Sequence, residues 1–146
     1  MNQNQPVKLL LDECLGRPIV ADMNKMLSWD SPTPTIHHLT YYFIPGTKDP
    51  DWIPKVKSEG WIILTQDKGE KGRDKLPQIC AHYKITHIIM GKAVLHLKQN
   101  QKANAIISVW EQIKDCNSAP PGTRFRLRLN HAGKPVIEKV DLPPSV

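Results

Sequence analysis

Apolar residues fall along the chain in short runs, each closed by a polar break, and the period within the runs changes from one to the next. Val7-Lys8-Leu9-Leu10-Leu11 is nearly continuous and closes on Asp12-Glu13, as a buried strand does. Gly16-Arg17-Pro18 opens the next element, with the proline in a first helical turn where its missing N–H costs nothing. Ile19, Val20, Met23, Met26 and Leu27 then recur at helical spacing, which predicts an amphipathic helix with these five on its apolar face. Ser31-Pro32-Thr33-Pro34 ends it.

Thr35-Ile36-His37-His38-Leu39 reads as a second strand, extendable through Tyr41-Tyr42-Phe43. After a loop at Pro45–Lys48, Asp49-Pro50-Asp51 has the form of a helix start, and the helix runs from Trp52 to about Glu59, where Gly60 stops it. Trp61-Ile62-Ile63-Leu64-Thr65 is the clearest buried strand. A polar loop, Gln66 to Lys75, leads to a helix around Leu76–Tyr83, and Thr86-His87-Ile88-Ile89-Met90 is a fourth strand ended by Gly91. A single long helix is expected over roughly Gln99–Lys114, with Ala103, Ile106, Ile107, Trp110 and Ile113 on one side, followed by a Pro-rich linker from Asn117 to Gly122. The four Trp residues occupy apolar positions and are expected in the core.

Strand–helix alternation of this kind predicts a three-layer α/β sandwich: a mainly parallel sheet of four or more strands, helices on both faces, right-handed crossovers. The tail departs from it. Thr123-Arg124-Phe125-Arg126-Leu127-Arg128-Leu129 alternates strictly, Asn130–Lys134 is a turn, and Pro135–Val140 returns, which predicts a β-hairpin laid on the domain by its apolar face. The expected organisation is an α/β domain over residues 1–116 and a linker with a basic hairpin over 117–146.

Composition sharpens this reading. A chain of 146 residues, 40% hydrophobic, supports one domain with a real core. The formal net charge is +6, and it is uneven. Residues 1–116 hold 15 Lys and Arg against 12 Asp and Glu; residues 117–146 hold five against two, so the short tail carries half of the excess. Polyanionic partners are favoured. Cys14, Cys80 and Cys116 are odd in number and far apart, which argues against a disulfide framework and for thiols in a reducing compartment. With no apolar stretch of membrane-spanning length and no signal-peptide pattern, a cytoplasmic protein with no membrane association is expected.

Candidate chemistry lies where an open parallel sheet binds ligands, beyond the carboxyl ends of its strands. Asp12 follows the first strand, Asp49 opens the helix leading into the third, and Asp67 lies just past the third; Glu13, Asp51 and Asp74 are further candidates. Carboxylates gathered without matching cations repel one another, and a divalent ion relieves that repulsion. Hard oxygen donors select Mg²⁺ or Mn²⁺, and phosphodiester cleavage is the reaction such a site serves. Each acid also has a plain role, Asp49 as an N-cap and Asp12 and Asp67 as turn residues. The histidines do not make a zinc site: His37 and His38 point to opposite faces of a strand, and His82, His87 and His96 lack partners at helical spacing. Lys68, Lys71, Arg73 and Lys75 form a basic loop beside Asp67, and Arg124, Arg126 and Arg128 line one face of the tail; both are candidate nucleic-acid contacts.

The runs Leu9-Leu10-Leu11-Asp12-Glu13, Asp49-Pro50-Asp51-Trp52 and Ile62-Ile63-Leu64-Thr65-Gln66-Asp67, in that order, resemble the PIN-like ribonuclease superfamily, and most of all its branch of VapC-like toxins from toxin–antitoxin modules. The resemblance covers about residues 7–115 and leaves the Arg-rich hairpin outside. It implies Mg²⁺- or Mn²⁺-dependent cleavage of RNA, with Asp12, Asp49 and Asp67 as metal-binding acids, Asp74 as the match to a fourth acid, and an antitoxin protein as inhibitor. A homodimer is compatible with it. Two other readings compete: a PIN-like module that binds nucleic acid or protein without catalysis, and a phosphoacceptor receiver domain, with Asp67 as acceptor and Lys92 in place of the receiver lysine. Against the receiver stands the expected hairpin, where a receiver has a fifth core strand.

Overall fold

The computed structural model of the protein describes residues 5–11, 16–39, 49–66 and 76–141, with the backbone alone at 49–52, 66, 76 and 77. The elements are β1 (Lys8–Leu11), α1 (Arg17–Met26), β2 (Thr35–His38), α2 (Asp49–Glu59), β3 (Ile62–Gln66), α3 (Leu76–Tyr83), β4 (His87–Met90), α4 (Lys92–Leu95), α5 (Gln99–Ser108), α6 (Trp110–Ser118), β5 (Arg124–Leu129) and β6 (Pro135–Val140). The extension of β2 through Tyr41–Phe43 lies outside the described residues.

The six strands form one sheet in the order β2-β1-β3-β4-β5-β6, parallel except for the last pair. The expected α/β sandwich with a C-terminal hairpin is therefore the fold. The hairpin, however, is part of the sheet: β5 pairs in parallel with β4, Met90 opposite Leu127. Its alternating sequence follows from this position. Leu127 is buried and joins the main core with Phe125 and Leu129 packed beside it, while the three arginines point to the other face.

Strand alternation divides the core in two. Leu9, Leu11, Ile62, Leu64, Ile88, Met90 and Leu127 face one way and meet Val20 and Met23 of α1, Val94 of α4, Ala103 and Ile106 of α5, and Trp110 and Ile113 of α6. Leu10 and Ile63 face the other way, against Ile53 and Val56 of α2 and Cys80 of α3. Fully burying one such Leu or Ile contributes about 1.5–3 kcal/mol, so continuous apolar runs are what a sheet covered on both faces demands. Asn24 of α1 secures the edge strand β2: its side-chain amide donates to the Ile36 carbonyl, and its carbonyl oxygen accepts the Ile36 N–H, both at 2.8 Å.

Several expectations shift. The single long helix is two, α5 and α6, which meet at Val109 (φ −106°) without a Gly or Pro between them. A short α4 precedes them, and α6 runs through Ser118, into the expected linker. Met26 is 48% exposed because the buried stripe of α1 is Val20, Met23 and, just past its end, Leu27. Trp61 and Trp110 are core, but Trp29, beyond the end of α1, is 77% exposed. No helix among the described residues is long and apolar enough to cross a membrane. Cys80 and Cys116 are buried thiols outside any disulfide. Burial, reinforced by neighbouring Asp115, pushes the Cys116 thiol up to about 12, which leaves it unreactive at neutral pH.

At the amino edge of the sheet, Asp30 (7% exposed) collects three donors. Lys114 Nζ donates to Oδ1 at 2.9 Å, the Ser31 N–H to Oδ1 at 3.0 Å, and Trp110 Nε1 to Oδ2 at 3.1 Å. The Lys114 ammonium holds the Asp30 carboxyl below the usual carboxylate range against the opposing effect of burial, with Ser31 and Trp110 adding to the lowering. The same contact raises Lys114. A cavity of about 150 Å³ opens beside this cluster, lined by Val7, Pro32, Pro34 and Asn117 among others.

Candidate functional site

Strand order places the reactive edge. Chain direction reverses across the sheet between β1 and β3: the connection from β1 runs through α1 on one face to β2, and that from β2 runs through α2 on the other face to β3. Such a switch point leaves a crevice at the carboxyl ends of its two strands. β1 and β3 are direct neighbours, Leu11 opposite Leu64, about 4.8 Å apart in a sheet of this kind.

Both strands end, in sequence, one residue before a sequence-derived acid. Asp12 is the residue after β1, and Asp67 the residue after β3. α2 ends at Glu59 and turns through Gly60 (φ +70°), where the Trp61 N–H bonds to the Val56 carbonyl before β3 starts at the amino edge. The first turn of α2, with Asp49 and Asp51, therefore lies toward the carboxyl edge. Asp12, Glu13, Asp67 and Asp74 lie outside the described residues, as do Lys68, Lys71, Arg73 and Lys75; the side chains of Asp49 and Asp51 do also. Among the described residues no three His, Cys, Asp or Glu side chains group to hold a metal ion. The cavity beside Asp30 is at the opposite edge and takes no part in this site.

The strand that delivers Asp67 is anchored by a bond the sequence reading did not anticipate. Thr65 Oγ1 and His87 Nε2 are 2.7 Å apart, both buried, on the face of the sheet covered by α2 and α3. The pair ties β3 to β4 two residues before Asp67, so the threonine of the Thr65-Gln66-Asp67 motif fixes the strand end. A histidine in an apolar strand, diagonal to a threonine two residues along the neighbouring strand, is the signal that could have found it.

The arginines of β5 lie on that same face. Arg128 Nε pairs with Glu138 Oε2 at 3.0 Å, and Arg124 Nη1 donates to the Asp141 carbonyl at 3.5 Å. Gly91, just past β4, lies against this strand: a Cβ there would sit 3.5 Å from the Leu127 carbonyl and 3.9 Å from Arg126 Cδ. The arginine row thus approaches the carboxyl edge two strands from β3.

A family model described as a PIN like domain matches residues 7–92, more than half of the chain, from the residue before β1 to the residue after Gly91. The chain belongs to the PIN-like domain family. No curated protein and no solved structure matches it. The order β2-β1-β3-β4-β5 is also that of receiver domains, and β5 supplies the fifth strand that the sequence reading withheld from them. Topology alone does not separate the two readings, and the family match decides for the PIN-like domain. The matched span contains all three acidic motifs and leaves out α5, α6 and the hairpin, although the hairpin completes the same sheet.

Proposed function

We propose that this PIN-like domain is a Mg²⁺- or Mn²⁺-dependent endoribonuclease. The observation that carries this reading is the β1–β3 switch point: two acid-bearing strand ends meet there, and the first turn of α2 is on the same edge. The donor set is all carboxylate, the chemistry hard divalent cations require. Asp12, Asp49 and Asp67 are the residues that would hold the ion, with Glu13, Asp51 and Asp74 as further oxygen donors. A bound divalent ion supplies activation of water and relief of charge at a phosphodiester.

The protein's own residues do the rest. The Thr65–His87 bond and the in-register pairing of β1 with β3 keep the strand ends from moving apart. Arg124, Arg126 and Arg128 stand about 6.6 Å apart along β5, and the surface pairing of Arg128 with Glu138 is weak enough for a phosphate to displace. Lys68, Lys71, Arg73 and Lys75 extend the basic surface toward Asp67 in sequence. Together these residues draw and orient RNA, while the acids perform the cleavage. The three motifs resemble those of the toxin branch, and on that reading an antitoxin protein is the partner; a non-catalytic binding module would keep the basic face and lack the ion.

Mn²⁺ titration followed by thermal melting separates the two. Stabilisation grows as RT ln(1 + [L]/Kd) for a folded-state site, so a melting temperature that climbs with Mn²⁺ is expected, and a flat response removes the nuclease reading. Changing Arg124, Arg126 and Arg128 together to Ala is expected to weaken RNA binding and reduce the slope of log affinity against log salt by up to about two to three. An unchanged slope assigns the arginine row to packing alone.

A further inference from the structure

The cavity beside Asp30 has the make-up of a small ligand site, with apolar walls and a few polar groups gathered round one space. Val7, Pro34 and Trp110, all buried, supply the walls. Its volume of about 150 Å³ is room for a single ring.

Three of the lining side chains have a bonding position to spare. Asp30 Oδ2 accepts from Trp110 alone among the described residues, whereas a carboxylate oxygen can take two donors. Lys114 Nζ donates to Asp30 at 2.9 Å and to Glu111 at 3.4 Å, and its third proton has no acceptor among the described residues. Asn117 Nδ2 donates to the Gln5 carbonyl at 3.2 Å, and its side-chain oxygen meets no donor among the described residues.

These groups select a ligand chemistry. A cation would be repelled by Lys114, and an anion by the Asp30 and Glu111 carboxylates, so a neutral molecule fits. Its edge must set a donor, for Asp30 Oδ2, beside an acceptor, for Lys114, which is the pattern of a cyclic amide. The proline and indole walls suit the faces of a flat ring. A chain of net charge +6 favours such a ring when it is carried on a phosphate.

We propose that this cavity binds the pyrimidine base of a nucleotide, with a ring-edge N–H donating to Asp30 Oδ2, the adjacent acceptor facing Lys114, and the ribose and phosphate left outside. Being at the opposite edge from the proposed cleavage crevice, the site stands independently of the nuclease reading.

The test uses the full chain and follows the tryptophan indole N–H resonances, with that of Trp110 assigned from Trp110→Phe. Uracil is expected to move the Trp110 signal saturably, with a dissociation constant on the order of a millimolar for so small a ligand, and to leave that of exposed Trp29 in place. No saturable shift overturns the site. N,N′-dimethyluracil keeps the ring and loses both donors, and is expected to bind about tenfold more weakly; equal binding overturns the hydrogen-bonded recognition. Asn117→Phe, which fills the cavity, is expected to abolish the response to uracil, and Ser31→Phe, at an exposed lining position, serves should the first variant fail to fold. A response that persists in either folded variant overturns the location. Uridine monophosphate is expected to bind several-fold more tightly than uracil, the gain shrinking with added salt. Binding weaker than that of uracil overturns the nucleotide as carrier and assigns the cavity to the free base.

Discussion

Asp12→Asn and Asp67→Asn are each expected to abolish the proposed Mn²⁺-dependent RNA cleavage, with a loss of about 10²–10³-fold or more, while melting within a few degrees of the parent. The size follows from what is removed: a preorganised charge beside the reacting phosphate, whose loss is on the scale of deleting one electrostatic group from an active site. The near-constant stability follows from position. Both residues lie just past strand ends whose packing is complete without them, Leu11 and Leu64 being fully buried and paired. Asparagine keeps the size and turn chemistry of aspartate and gives up the charge. Cleavage measured with either variant at undiminished rate would place the chemistry elsewhere. A large fall in melting temperature would mean that these acids are structural and that the lost activity says nothing about a metal.

The second large effect is on stability, at the opposite edge. Asp30→Ala is expected to lower the unfolding free energy by about 3 kcal/mol, because it strands the Trp110 indole N–H and the Ser31 N–H and leaves Lys114 without its closest anion. For a chain of this size that corresponds to a melting temperature lower by roughly 10 °C. The pH dependence has a fixed sign. The Asp30 carboxyl titrates lower in the folded protein than its ordinary value of 3.8, so near that pH the unfolded chain binds more protons. Its contribution is therefore present in full above about pH 4 and fades as the pH falls through the folded value. Denaturant titrations at neutral pH and at successively lower pH check this, and parent and variant should converge on the acid side. RNA cleavage at neutral pH should be unaffected at temperatures where the variant is folded. A constant gap at all pH values would show that lost packing, and not the charge, accounts for the effect.

Much of this architecture is legible in the order of residues, and the reasons are local. β1, β3 and β4 announce themselves as continuous apolar runs because both their faces are covered, and α2 by an acidic, proline-bearing start and a glycine at its end. The carboxyl edge, proposed for the acids, follows from strand–helix alternation alone. What stayed hidden depends on partners distant in sequence. Nothing in Arg124–Leu129 says that its neighbour is β4: a strand with one wet face alternates in the same way whether it sits in a sheet or on it. The break at Val109 has no Gly or Pro to mark it and arises where α6 turns to bring Trp110 to Asp30. Lys102 reads as a solvated helix residue until α5 is seen packed on α1 with its first turn at Gly16. Trp29 looks like core by residue type, yet it falls one step beyond the last buried position of its helix, Leu27.

The parallel seam between β4 and β5 has a practical corollary for anyone trimming the protein to its family-matched part. All four residues of β4 are buried, and on one side their backbone amides and carbonyls are capped by β5. A fragment ending near residue 116 would carry that seam open, presenting a flat, greasy template to which another polypeptide can add. The hairpin thus covers an edge that would otherwise invite association.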